Sequence, residues 1–232
     1  MIAEVNSTKA TEQVITQEKL AIILACIAGY LDAVGIVKWK TYVSFMSGNT
    51  TQLGISISNG KHAVIMTSVT VISCFLFGIY TGTCLSLWKK YKIQKLPFYI
   101  VSGILIFYTT VSFYYTISVL QSLAIIGFST GIMNTIVTSV GNQKINTDFV
   151  TGTLNSLAKN TAMLNMATET AERKEYKTNA IRLFLLWLGF LSGAFTAPFL
   201  LPLLKNWILM LPAFLLLLCS LLKPVSIINQ KN

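Results

Sequence analysis

The stretch Ala25-Cys26-Ile27-Ala28-Gly29-Tyr30-Leu31-Asp32-Ala33, followed by Phe45-Met46-Ser47-Gly48-Asn49-Thr50, decides the fold because it is repeated. About a hundred residues later the chain reads Gly127-Phe128-Ser129-Thr130-Gly131-Ile132-Met133-Asn134-Thr135, then Val150-Thr151-Gly152-Thr153-Leu154. A further small-residue pair follows each copy in the same order: Gly78-xxx-Gly82 after the first and Gly189-xxx-Gly193 after the second. Internal duplication in an apolar chain is characteristic of transporters whose sites lie where two repeats meet.

Composition places that duplication in a bilayer. The 232 residues are 53% hydrophobic and 11% charged, whereas a soluble domain carries about 25% charged residues. Such a chain cannot cover a water-facing surface, so an all-α integral membrane protein is expected. Its 18 Lys and Arg against 8 Asp and Glu then point to cytoplasmic loops and the lipid bilayer as partner, not to nucleic acid. Cys26, Cys74, Cys84 and Cys219 are scattered through apolar segments, and His62 is the only histidine. That pattern predicts no metal site and no cofactor. No nucleophile or paired-carboxylate motif suggests an enzyme.

Apolar segments fall near 20–37, 63–87, 98–117, 119–140, 180–203 and 207–222, most close to the roughly 20 residues that span a bilayer. Two weaker segments, 42–59 and 148–166, are rich in Ser, Thr, Asn and Gln and occupy equivalent places in the two copies. If all eight cross, Lys and Arg divide ten inside to eight outside. If the two polar segments instead enter and return on one side, only Lys38, Lys40, Lys61 and Lys205 lie outside and fourteen lie inside. Enrichment of basic residues in the cytoplasm favours the second arrangement. It has six transmembrane helices, two re-entrant or broken helical segments, and both termini in the cytoplasm. Three crossings per copy is odd, so the copies become two inverted repeats.

The expected divisions are a polar cytoplasmic N-terminus (1–19), membrane repeat 1 (20–117), membrane repeat 2 (118–222) and a cytoplasmic tail (223–232). Within the second repeat, 167–178 holds Glu169, Glu172, Arg173, Lys174, Glu175 and Lys177 and reads as a solvated cytoplasmic loop or surface helix.

Asp32 is the only acidic residue between Glu18 and Asp148. A carboxylate inside an apolar segment lines a cavity or finds a partner. Proton coupling or solute recognition is one reading, a cap at a helix end near Lys38 and Lys40 the other. Its counterpart is Asn134. The motifs Ser47-Gly48-Asn49-Thr50 and Thr151-Gly152-Thr153 combine a backbone breaker with small polar groups. Glycine would permit the turn of a re-entrant segment, and helix N-termini exposed there attract anions. A polar helix seam without ligand is the alternative. Gly78, Gly82, Gly127, Gly131, Gly189 and Gly193 are expected to let helices approach closely. Trp39, Trp88, Trp187 and Trp207 are expected near segment ends as interfacial anchors, and Pro198, Pro202 and Pro212 to kink or end the last two helices.

Gly29-Tyr30-Leu31-Asp32-Ala33, Phe45-Met46-Ser47-Gly48-Asn49-Thr50, Gly131-Ile132-Met133-Asn134-Thr135 and Val150-Thr151-Gly152-Thr153-Leu154 together resemble the YoaK family of bacterial membrane proteins, also called domain-of-unknown-function family 1275. The resemblance runs from about residue 20 to 222. It departs at Ser47, where the family usually has Thr, and at Thr135, where it usually has Ala. It implies a multi-pass protein of the bacterial cytoplasmic membrane and supplies no substrate. The functional expectation is a small secondary transporter for a small solute, an anion among the candidates, with a site at Asp32, Ser47, Gly48, Asn49, Thr50, Asn134, Thr151, Gly152 and Thr153. A non-transporting membrane scaffold or accessory subunit is the competing reading, and no oligomeric state is implied.

Overall fold

The structure, a computed structural model, describes residues 2–87, 95–137, 139–140, 143–144 and 150–221. Trp88, the Lys89, Lys90 and Lys92 cluster, Asp148 and the tail 223–232 lie outside the described residues. Among the described residues eight α-helices run in order: α1 (Ile2–Trp39), α2 (Met46–Ser58), α3 (His62–Leu87), α4 (Leu96–Tyr114), α5 (Val119–Met133), α6 (Val150–Met166), α7 (Thr170–Leu204) and α8 (Met210–Cys219). A 3-10 turn, Lys205–Leu209, joins the last two, and a two-residue antiparallel ladder pairs Ser139 with Lys144 and Val140 with Gln143.

Among the described residues four stretches are long and apolar enough to cross a membrane: Val14–Trp39, His62–Leu87, Leu96–Tyr114 and Thr170–Cys219. The last is 50 residues long and includes α7, the 3-10 turn and α8. Large apolar side chains such as Leu76, Phe77, Tyr80, Phe107, Phe195, Phe199 and Phe214 are exposed, as expected of helices that face lipid tails. The chain is a membrane protein. Hydroxyls within the apolar helices mostly bond back one turn: Thr81 donates to the Phe77 carbonyl at 2.8 Å and Thr109 to that of Leu105 at 2.8 Å. That bond removes the cost of carrying them into hydrocarbon.

The apolar run 119–140 gives a shorter helix than its hydropathy suggests. Ser118 and Gln121 form a reciprocal capping box that starts α5. The helix ends at Met133, 15 residues on. Asn134 caps it, and the chain turns through Thr135 and Ile136. Hydropathy counted apolar residues and missed this stop. The segment 207–222 likewise holds the 3-10 turn and the 10-residue α8, after a break at Lys205, whose φ is +48°. Pro198 and Pro202 lie inside α7, which ends two residues after the second, and Pro212 sits in the first turn of α8, where a missing N–H leaves no bond unmade. Trp187 is mid-helix in α7, not at a helix end. The stretch 170–178 is an exposed start of α7, not a loop.

Helix pairing follows one pattern twice. α1 packs on α7 and α3 on α5; α2 packs on α3 and α6 on α7; α4 packs on α5 and α1 on α8; α1 meets α5 and α4 meets α8. Exchanging the first four helices for the last four in order returns the same set, apart from a slight α3–α4 contact that has no α7–α8 counterpart. The correspondence reaches individual atoms. A Cβ on Gly193 would strike the carbonyl oxygen of Cys26 and reach the amide of Tyr30 at 2.9 Å. One on Gly78 would strike the carbonyl of Phe128 and reach the amide of Ile132 at 3.1 Å. Gly29 meets the carbonyl of Phe190 as Gly131 meets that of Phe75. Cys26, Gly29 and Tyr30 thus correspond to Phe128, Gly131 and Ile132, the alignment read from sequence. The outer helices shift by one turn: Gly78 corresponds to Gly193, not Gly189. Gly82 instead meets Thr135, and Gly189 meets the Ile22 carbonyl at 2.9 Å. Contacts advance together along both helices of each pair, from Glu18–Arg182 to Cys26–Gly193 and from Val71–Gly127 to Gly82–Thr135. Both pairs are therefore parallel.

Candidate functional site

The link between α1 and α2 is organised by Asp32. Its side chain is buried, seven residues before the end of α1. Oδ1 accepts the amides of Val43 at 2.8 Å and Ser44 at 2.7 Å, and Oδ2 accepts the Ser44 hydroxyl at 2.8 Å. Asp32 therefore does not cap its own helix near Lys38 and Lys40. It reaches the link that leads into α2, whose amides at Val43 and Ser44 point toward its negative charge. No Lys or Arg among the described residues pairs with it. The chain can fold back this sharply because Lys40 adopts a positive φ of 58°. Gly35 leaves room for the Thr41 carbonyl, which would lie 2.6 Å from an added Cβ.

Two other helices close on the same link. Thr130 of α5 donates its hydroxyl to the Val43 carbonyl at 2.8 Å, and Asn49 of α2 donates Nδ2 to the Tyr42 carbonyl at 2.8 Å. Residues 42–44 thus hold α1, α2 and α5 together through bonds to Asp32, Asn49 and Thr130, all buried. Among the described residues Asn49 Oδ1 has no partner, and neither do the buried Gln52 Oε1 one turn further along α2 and Asn134 Oδ1 one turn beyond Thr130 on α5. Ser68 Oγ on α3 and Ser102 Oγ on α4 are also buried and unpartnered.

The predicted residues divide. Asp32 and Asn49 come together at the link, with Asn134 one turn away on α5. Ser47 and Thr50 are exposed on the other side of α2, and Thr50 bonds to its own helix at Met46. Gly48 is not at a turn: it lies within the first turn of α2 and makes room for the Phe45 ring, 2.5 Å from an added Cβ. The turn is at 40–45 instead. Gly152 likewise lies inside the first turn of α6, flanked by exposed Thr151 and half-buried Thr153. α2 packs on α3 and α6 on α7, and the two motif helices share no substantial face among the described residues. Reading the sequence singled out neither Thr130 nor Gln52. Thr130 was findable: it is a hydroxyl in an apolar run, directly before a glycine at which two helices touch.

What this site offers is hydrogen-bond acceptors beside one carboxylate. Among the described residues no three His, Cys, Asp or Glu side chains converge as a metal site.

No curated protein and no solved structure matches the chain. The model of a family described as "Protein of unknown function (DUF1275)" matches residues 20–222. With nearly the whole chain covered, from the middle of α1 to the end of α8, this protein belongs to the DUF1275 family.

Proposed function

We propose that the protein is a small-solute secondary transporter in which two inverted repeats rock against each other around the Asp32 link. The observation that carries this reading is the exchange of contacts: α1–α7 and α3–α5 are the same glycine-seated parallel pair, each made of one helix from either half. In the proposed topology α1 and α7 cross outward and α3 and α5 inward. Six crossings result, with α8 returning after the break at Lys205 and both termini in the cytoplasm. α2, of 13 residues, is about 20 Å long, too short to cross a core of about 30 Å. Together with α6 it would fill a half-depth position of the kind that lines transporter sites.

Proton coupling through Asp32 belongs to the same proposal. A protonated carboxyl is a weaker acceptor for Val43 and Ser44, so protonation would loosen the link that joins α1, α2 and α5. The test is solute counterflow in proteoliposomes loaded from a panel of candidate solutes, run at several external pH values. Flux in wild type, flux lost in Asn49→Ala and flux without pH dependence in Asp32→Asn support the proposal. Unchanged flux in both variants means that the site is elsewhere.

A scaffold role is the second reading, favoured by the fact that both Asp32 oxygens are already engaged. It predicts no counterflow for any solute and a partner that co-purifies in fixed ratio.

A further inference from the structure

The proposed transporter needs a substrate class, and resting on that reading we infer that the site takes a ligand that donates hydrogen bonds and carries no negative charge. The ligand would be a protonated amine or a neutral solute rich in N–H and O–H groups. Asn49 carries the argument. Its side chain is fully buried, and Nδ2 is fixed by its 2.8 Å bond to the Tyr42 carbonyl. Turning the amide over would set Oδ1 against that carbonyl, two acceptors face to face. The orientation is therefore determined, and Oδ1 must accept. It has no donor. A buried acceptor without a donor is costly and rare enough to call for a ligand or a role.

Its surroundings repeat the sign. Gln52 Oε1, on the same helix one turn away, is buried and without a donor, and Asn134 Oδ1 is in the same state on α5. Asn134 lies one turn past Thr130, which is bonded to the same link as Asn49. Three carboxamide oxygens without donors thus lie on the helices that meet at the Asp32 link, and among the described residues no Lys or Arg forms an ion pair there.

The group that would welcome an anion is already occupied. Amides approaching a helix N-terminus attract negative charge. Ahead of α2 those amides belong to Val43 and Ser44, and both donate to Asp32 Oδ1. The protein's own carboxylate fills the place an anionic solute would seek. The anion expected from the broken-helix pattern is therefore replaced by a donor.

Thermal unfolding of the purified full-length protein in detergent tests this with three salts at equal ionic strength: methylammonium chloride, tetramethylammonium chloride and tetramethylammonium acetate. Methylammonium has N–H donors and tetramethylammonium has none. The expected result is a rise of about 2–4 °C in methylammonium chloride alone, reduced in Asn49→Ala and in Gln52→Leu. Gln52→Leu leaves the link bonds intact and guards against a folding defect in Asn49→Ala. Equal response to both cations, no response, or a rise in acetate alone overturns the inference. Counterflow separates it from the transport reading. A methylammonium response without flux of any solute sinks transport and keeps the donor rule. Flux of a carboxylate without a methylammonium response does the reverse.

Discussion

Gly29 on α1 lies directly against the main-chain carbonyl of Phe190 on α7, with no room for a side chain between them. Gly131 on α5 repeats the arrangement against Phe75 on α3. Helices in lipid gain nothing from burying apolar area against each other, so close backbone approach is what their packing rests on.

Gly29→Ala and Gly131→Ala should each lower stability by about 1–3 kcal/mol, since the clash is with backbone that cannot swing aside. Gly103 on α4 is the control, because nothing lies within 4 Å of an added Cβ there. Gly103→Ala should raise helix stability by roughly 0.5–1 kcal/mol. Unfolding of the three variants in one detergent, followed by circular dichroism, checks the order.

Asp32→Ala should be among the most damaging substitutions outside the helix seams. It orphans two buried amides and one hydroxyl, at about 1–3 kcal/mol for each group left unmet. Asp32→Asn keeps an acceptor at Oδ1 and should cost less. Ser44→Ala removes only the Oδ2 bond and should fall below both. Limited proteolysis between α1 and α2 reads the same ranking, with Asp32→Ala cleaved fastest.

Ser68→Ala should leave stability unchanged or raise it by up to about 1 kcal/mol, because its buried hydroxyl has no partner to lose. Ser122→Ala should do the opposite, since its hydroxyl meets that of Tyr108 at 2.8 Å between α5 and α4. Thermal unfolding of the pair decides. A loss at Ser68 equal to that at Ser122 would mean that Ser68 is bonded.

Much of the fold was legible before any coordinates. The copy-to-copy alignment of Gly29 with Gly131 survives to the level of single carbonyl contacts, because small residues at a helix crossing leave a sequence mark. The one-turn slip of Gly78 and Gly82 against Gly189 and Gly193 did not show, since a glycine pair four apart fits either register. Asp32 was visible as a buried charge, but its partners were not: they are main-chain amides of Val43 and Ser44, and an amide has no sequence signature. Gly48 was misread for a related reason. Its glycine serves the Phe45 ring beside it, whereas the turn depends on a positive φ at Lys40, a residue type that gives no warning of it.

The central claim, that the halves are oppositely oriented, rests on where Lys61 and Lys174 lie. Lys61 joins α2 to α3, and Lys174 is in the exposed start of α7. Single-cysteine variants Lys61→Cys and Lys174→Cys in an otherwise cysteine-free protein can be probed in intact cells with a membrane-impermeant maleimide. Inverted repeats predict that Lys61→Cys is labelled from outside and Lys174→Cys only after the membrane is opened. Protection of both until lysis would place them on one side, as eight crossings require, and would contradict the inversion.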